Sequence, residues 1–339
     1  MAVQSLAVKY RPSSFDDVVE QGAIKTILRN QLNTGETKNA YLFCGGAGTG
    51  KTTCARIFAK EINKGVGTII ELDAASNNSV DDVREIGRQA KTKSLDGEYK
   101  TFVVDECHSL SSQAWQAFLK LLEEPPAKTI FIFCTTDPQK IPKTILSRVQ
   151  RYDFQRISNS GIVDRLSYIC KCENVPVVTD ALDYISKVAD GGMRDAITLL
   201  DKCLSLTTNL SVATVVETLG TADYDDLYNL THSILLGDDK EVFSIVEEIH
   251  YSGKDLKQFI RQFVEYCLDV IKYDCTHDLL FTTLPNTELK HIQELCGIKN
   301  GSKSLPHLLD TLVELSGEIK WDVNPKYMIE AKLYGECKI

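Results

Sequence analysis

The chain has no uninterrupted apolar run approaching the roughly 18 residues that a membrane span needs. Its start, Met1-Ala-Val-Gln-Ser5, leads to Lys9 and Arg11 and not to the apolar core of an export signal. These absences argue against spanning and secreted proteins and predict an intracellular one. Cysteines are present, eleven of them, but they lie singly along the chain and their number is odd. The one close pair, Cys170 and Cys172, lacks the spacing of a metal knuckle, so the pattern predicts reduced, mostly buried thiols in place of disulfides or zinc. Internal repeats, low-complexity stretches and an appended helix-turn-helix are also missing. What remains, 339 residues with 43% hydrophobic, 25% charged and 8% aromatic side chains, is globular and long enough for two or three cores.

The net charge of −9 is unevenly spread. Residues 1–155 carry 20 Lys and Arg against 18 Asp and Glu, leaving 18 against 29 for the rest. The amino-terminal part is therefore the better anion handler. Short β-branched or aromatic runs recur there at 41–44, 68–73, 101–105, 130–136 and 151–154. Between them, 51–63, 80–91 and 112–124 have helical spacing, the last with Trp115, Phe118, Leu119 and Leu122 on one stripe. Five strands alternating with helices predict an α/β domain built on a parallel sheet covered on both faces. After Phe154 the spacing becomes helical to the end, as in Val242, Ile245, Val246 and Ile249, or Leu256, Phe259, Ile260, Phe263, Val264, Cys267 and Ile271. Turn formers and acidic residues from Leu219 to Asp226 predict a break near Gly220. The expected domains are 1–155, 156–220 and 221–339, the last two all-α.

Gly45-Gly46-Ala47-Gly48-Thr49-Gly50-Lys51-Thr52 follows one predicted strand and opens a predicted helix. Glycines let successive backbone N–H groups turn toward phosphate oxygens at the helix start. Lys51 adds positive charge near the β and γ groups, and the Thr52 hydroxyl, followed by Thr53, suits Mg²⁺. The apolar strand Thr101-Phe-Val-Val ends in Asp105 and Glu106, adjacent carboxylates that supply what a phosphate loop lacks. Asp105 is expected to hold Mg²⁺ through water, and Glu106 to orient or deprotonate the attacking water. Cys107 and His108 are left between packing and function.

Together with Tyr10-Arg11-Pro12, Glu71-Leu-Asp73-Ala-Ala-Ser76, Leu121-Leu-Glu-Glu-Pro-Pro126, Thr135-Thr-Asp-Pro138, Ser147-Arg148 and Gly192-Met193-Arg194-Asp195, these motifs resemble the clamp-loader AAA+ ATPases. The likeness is greatest to the gamma/tau family of bacterial DNA polymerase III, with replication factor C small subunits more distant. The resemblance implies an AAA+ core with a five-stranded parallel sheet, a small helical lid and a helical oligomerisation collar. It implies an ATP-hydrolysing motor that opens a ring-shaped sliding clamp and places it on primer–template DNA. By similarity, Tyr10, Arg11 and Pro12 lie by the adenine and Thr136 senses the γ-phosphate. Arg194 reaches the nucleotide from the lid, and Arg148 acts as an arginine finger on a neighbouring subunit's ATP. Asn77, Asn78, Lys91, Lys93 and Lys140 are candidates for the DNA backbone. Expected partners are other clamp-loader subunits in a pentameric ring, the clamp and DNA. A nucleotide-binding architectural subunit and a different DNA-directed AAA+ ATPase are the alternatives.

The sequence departs from the family pattern in places. The segment 60–67 passes directly into the next strand where the family carries a four-cysteine zinc module, so no zinc is expected. Ser147-Arg148-Val149 stands where the family has Ser-Arg-Cys, and Val19-Glu20-Gln21 where it has Val-Gly-Gln. The long family form's polymerase- and helicase-binding tail is not expected, and a compact form of this kind suits a bacteriophage or another mobile replicon. The expected location is the bacterial cytoplasm, or that of an infected host.

Overall fold

In this computed structural model the described residues are 4–66, 69–92, 97–206, 210–219, 224–253, 255–284, 288–298, 301–319 and 324–337. The chain divides into two compact units, Met1–Glu173 with Ala189–Asp201, and Asn174–Val188 with Lys202–Ile339. The segment 156–220, expected as a lid, thus contributes to both.

In the first unit the elements run α1 (Leu6–Lys9), α2 (Gly22–Thr34), β1 (Ala40–Cys44), α3 (Lys51–Ile62), β2 (Ile69–Asp73), α4 (Val80–Ala90), β3 (Lys100–Asp105), α5 (Ser112–Glu123), β4 (Thr129–Thr135), α6 (Lys143–Leu146), β5 (Gln150–Asp153) and α7 (Asn159–Cys172). Five parallel strands lie in the order β2-β3-β4-β1-β5. Apolar runs without alternation belong in such a sheet because both faces are covered. Tyr41 and Phe43 of β1 pack on one side with Phe58 of α3 and Tyr152, while Leu42 and Cys44 pack on the other with Trp115 and Phe118 of α5. Phe118 meets the rings of Phe131 and Phe133 edge-on, at 6.0 and 5.1 Å, the arrangement that places a ring's positive edge on its neighbour's negative face.

Local signals set the helix ends. Ser79 and Asp82 form a reciprocal capping box at the start of α4. Ser111 and Ser158 accept from Ala114 and Gly161 N–H at the starts of α5 and α7. Pro125 and Pro126 follow α5 and cannot continue it. The strands lie where the sequence predicts them, within a residue at each described end. Thr136 falls just beyond β4 and Phe154 just beyond β5, although Phe154 N–H still donates to the Cys44 carbonyl at 2.7 Å.

The remaining helices are α8 (Thr179–Val188), α9 (Met193–Leu206), α10 (Val212–Leu219), α11 (Tyr224–Leu236), α12 (Asp239–Tyr251), α13 (Leu256–Thr276), α14 (Leu289–Gly297), α15 (Gly301–Glu318) and α16 (Pro325–Glu336). The first residues of α9 belong to the first unit and the rest of these elements to the second. Both predicted stripes, on α12 and α13, enter one core with Leu308, Leu312 and Leu315 of α15. Asp269, buried in that core, is satisfied by Lys272 at 2.8 Å and by the Thr283 N–H and hydroxyl at 2.8 and 2.5 Å. The break expected near Gly220 falls on 220–223, outside the described residues. All eleven cysteines are free, and seven are buried. No described helix is long and apolar enough to cross a membrane.

Candidate nucleotide site

The carboxyl ends of β1, β3 and β4 meet along one edge of the sheet, where parallel α/β sheets place ligands. The loop after β1 is drawn against this edge. Gly45 N–H donates to the Thr135 carbonyl at 3.3 Å, and a Cβ at Gly45 would stand 2.6 Å from the Phe154 carbonyl oxygen. Gly45 also has φ +151°. Only glycine suits that turn without strain. Gly48, at φ +69°, lies against Gly192, and its carbonyl accepts from Met193 N–H at 3.1 Å. The phosphate loop is therefore fastened to the start of α9.

Lys51 opens α3 and is buried. Its ammonium donates to the Gly45 and Gly46 carbonyls at 2.9 and 2.6 Å. Burial pushes its pKa below the ordinary lysine value, against the attraction of Glu106 and Asp105. Thr49 donates to the Gly46 carbonyl at 3.0 Å, bracing the loop. The Thr52 hydroxyl donates to Asp105 Oδ2 at 2.9 Å, while Asp105 Oδ1 accepts from Glu106 N–H at 3.0 Å. Thr136 donates to Glu106 Oε2 at 3.2 Å. His108 Nδ1 lies 3.4 Å from the same oxygen.

A cavity of about 280 Å³ opens over this edge, lined by Ala47, Gly48, Gly50, Lys51, Thr52 and Thr53 of the loop and helix. Tyr10, Arg11 and Pro12 also line it, with Asp105, Glu106 and Arg194. Partial desolvation and the facing guanidiniums of Arg56 and Arg194 push the Arg11 pKa down, so several positive groups converge on a space that a polyanion would neutralise. Val18, Val19, Ile157, Met193 and Ile197 add apolar side chains to the lining. The Tyr10 hydroxyl donates to Glu173, which raises the phenol's pKa. The Tyr10 carbonyl accepts from Arg165 at 2.9 Å. Arg165, Arg56 and Ile197 escaped the sequence reading because nothing in local spacing says which surface of α3, α7 or α9 turns inward.

Other predicted residues stand apart. Arg148 does not line the cavity. It is paired with Glu123 at 2.7 Å and donates to the Thr144 carbonyl at 2.7 Å. Asn77 is tied to the Asp73 carbonyl, and the Asn78 carbonyl accepts from Ser111 N–H. Lys140 pairs with Asp137 at 3.3 Å. Lys93 lies outside the described residues. Lys91 enters a groove between α4 and α5 with Arg84, Arg88 and Lys120. The four- and three-residue spacing of Arg84, Arg88 and Lys91 places them on one helical face.

Thr52 and Asp105 offer two hard oxygens beside the phosphate loop, a donor set that fits Mg²⁺ keeping several of its waters. Among the described residues no cluster of three or more His, Cys, Asp or Glu is placed to hold a metal.

Three family profiles match consecutive stretches of the chain. They are DNA polymerase III, delta subunit, over 66–158; the DNA polymerase III clamp loader subunit ATPase lid domain over 161–209; and DNA polymerase III subunits gamma and tau domain III over 210–330. DNA polymerase III subunit tau of Bacillus subtilis is 35% identical, the match covering 100% of this chain and 64% of that protein. Escherichia coli subunit tau is 34% identical over 75% of this chain and 43% of its own length. Arabidopsis thaliana protein STICHEL is 35% identical over 79% of this chain and 24% of its own. The chain thus spans less than two thirds of the curated relatives it matches. Among solved structures, the Thermotoga maritima RuvB Holliday junction branch migration motor superposes with a TM-score of 0.53 at 19% identity, covering 67% of this chain and 79% of RuvB. That likeness establishes an AAA+ fold.

Proposed function

Because the chain belongs to the DNA polymerase III gamma/tau clamp-loader family, we propose that it is an ATP-hydrolysing motor subunit of a sliding-clamp loader, opening the ring and placing it on primer–template DNA. The observation that carries this reading is the convergence of Lys51, Thr52, Asp105, Glu106 and Arg194 around one cavity, with Thr136 bonded to Glu106. An architectural subunit that binds nucleotide needs the loop, Thr52 and Asp105, but has no use for a base such as Glu106.

The loop N–H groups and Lys51 bind and orient the triphosphate. Thr52 and Asp105 would hold Mg²⁺, which when bound offsets charge on the β and γ oxygens. Glu106 accepts a proton from water as the water oxygen bonds to the γ-phosphorus, and the bond to the β–γ bridging oxygen breaks, giving ADP and phosphate. Thr136 contacts the γ-phosphate and Arg194 closes over the nucleotide. Arg148, outside its own chain's cavity, serves a neighbouring subunit's nucleotide. In this reading 1–155 is the ATPase core, 156–220 the lid and 221–339 the collar of a pentameric ring. The α4–α5 groove with Lys91, together with Asn77, Asn78 and Lys140, faces DNA, where basic residues meet phosphates.

Steady-state ATP hydrolysis tests this directly, measured with and without primed single-stranded DNA, clamp and companion subunits. Stimulation that requires both clamp and primer junction is the expected result. Hydrolysis that stays flat with all partners present, while ATP still binds, would sink the motor reading and leave an architectural subunit. Lys51→Ala should lose nucleotide binding. Arg148→Ala should keep binding and lower turnover in the assembly, and normal turnover would remove the finger role.

A further inference from the structure

Glu106 occupies an unusual position for a side chain that must be aimed. It follows the last residue of β3 with φ +46°, in the left-handed region, and its side chain is 42% exposed. With that much of the side chain exposed, packing does not by itself aim its carboxylate, and a poorly aimed base is a poor one. Two groups approach the same oxygen, Thr136 as a hydrogen-bond donor and His108 at ion-pair distance. Thr136 Oγ1 donates to Oε2 at 3.2 Å from the end of β4, and His108 Nδ1 lies 3.4 Å from Oε2. Oε1 makes no hydrogen bond among the described residues.

His108 is itself held in place. It sits on a short turn of helix, Cys107–Ser109, whose Cys107 side chain is fully buried. Its own side chain is 19% exposed. Nδ1 also lies 3.3 Å from the buried Thr135 hydroxyl, whose oxygen accepts from Asp137 N–H at 3.0 Å. The Thr135 hydroxyl can serve either tautomer, and the one with hydrogen on Nδ1 also avoids setting a bare lone pair beside the Glu106 carboxylate.

We infer that His108 is a positioning residue for hydrolysis: through Nδ1–H it pins Oε2 of Glu106 together with Thr136, and leaves Oε1 to face the attacking water. This rests on Glu106 being the general base of the proposed function. The 3.4 Å separation shortens when nucleotide fills the cavity, as such contacts do on substrate binding. Thr136 then divides its hydroxyl between Glu106 and the γ-phosphate, and His108 is the partner that keeps the carboxylate aimed when Thr136 turns away. The imidazole also explains the placement of Thr135, whose hydroxyl sits in the buried end of β4 beside Nδ1.

The test compares wild type, Glu106→Gln, His108→Ala, His108→Asn and His108→Gln in the assembled complex with clamp and primed DNA. It follows kcat and KM for ATP, with ATP affinity measured separately from a fluorescent nucleotide. His108→Ala should lower kcat about 10- to 100-fold, the scale of an orienting partner, with KM and affinity changed less than about twofold. Asn carries its amide N–H at the place of Nδ1 and should restore most of the loss, whereas Gln carries it at the place of Nε2 and should not. A His108→Ala kcat within about twofold of wild type, or equal activities for Asn and Gln, would overturn the proposal. Wild-type turnover by Glu106→Gln would overturn the base assignment as well. Loss in Glu106→Gln with none in His108→Ala would overturn the His108 role alone.

Discussion

Gly45 shows how much of the site rests on single atoms that are absent. A methyl group there would meet the Phe154 carbonyl and side chain at 2.6 and 2.9 Å, on a backbone at φ +151°. Gly45→Ala should therefore cost about 1–3 kcal/mol, the scale of one strained residue. The measurement is chemical denaturation, and the same variant should weaken nucleotide binding because the collision moves the loop. At this scale the sequence was most informative about groups whose chemistry depends on neighbours in the chain: Gly45 to Thr52, then Asp105 and Glu106. It said little about Arg165 and Arg56, whose places in the cavity follow from α3 packing on the sheet and from α7 meeting the Tyr10 segment. His108 lay between these cases. Its neighbour Glu106 was legible, but its second contact, Thr135, is 27 residues away, and only the pairing of β3 with β4 brings the two together.

Among the elements, α4 depends most visibly on its ends. Ser79 accepts from Asp82 N–H, and Asp82 accepts from both the Ser79 N–H and hydroxyl. Ser79→Ala removes the two of these bonds that use the hydroxyl and should destabilise the first unit by about 1 kcal/mol, read from its denaturation midpoint. Because Arg84, Arg88 and Lys91 ride on α4, the same change should weaken DNA binding if that groove meets DNA. In the second unit, Glu336 near the end of α16 accepts from Thr311 on α15 at 2.7 Å and lies 2.8 Å from His307 Nδ1. The hydrogen bond to Glu336 raises the His307 pKa above its ordinary value. A raised histidine favours the folded state fully below the ordinary value of about 6.5 and loses that contribution as pH climbs through the raised one. Melting temperature should accordingly fall across that window in wild type, and by less in His307→Gln. Equal slopes in the two proteins would dismiss the pair. Strands and helices were legible at this scale because period and turn residues are local properties: Phe102-Val103-Val104 reads as a strand buried on both faces, and it is one. The fastening of α15 to α16 was not, since it joins side chains 29 and 25 residues apart.

For the whole molecule, every residue lining the nucleotide cavity belongs to the first unit. ATP with Mg²⁺ should therefore slow amide exchange along the loop, the start of α3 and the first turn of α9, and leave α11–α16 unchanged. At a hundredfold excess over Kd the added protection is about 2.7 kcal/mol. Protection confined to the second unit would refute the assignment of the cavity. Organisation at this scale was partly legible. The change from alternating strands and helices to helices alone marks the end of the sheet at β5, because parallel pairing demands crossovers that helices supply. The way 156–220 divides between two compact units could not be seen, because both parts have the same helical spacing and differ only in what they pack against.

The bond between Gly48 and Met193 has a further meaning. Loop and helix touch there as bare main chain, with the carbonyl of one on the N–H of the other and Gly192 pressed close. Meshed backbones transmit displacement with little slack, like the teeth of two gears, because no rotatable side chain lies between them to absorb it. A shift of the loop as it closes on a triphosphate must be followed by α9, and with it by Arg194. Such a linkage is also hard for mutation to retune, since it has no side chain to exchange, and a Cβ at Gly48 would stand 2.9 Å from Gly192 Cα and jam it.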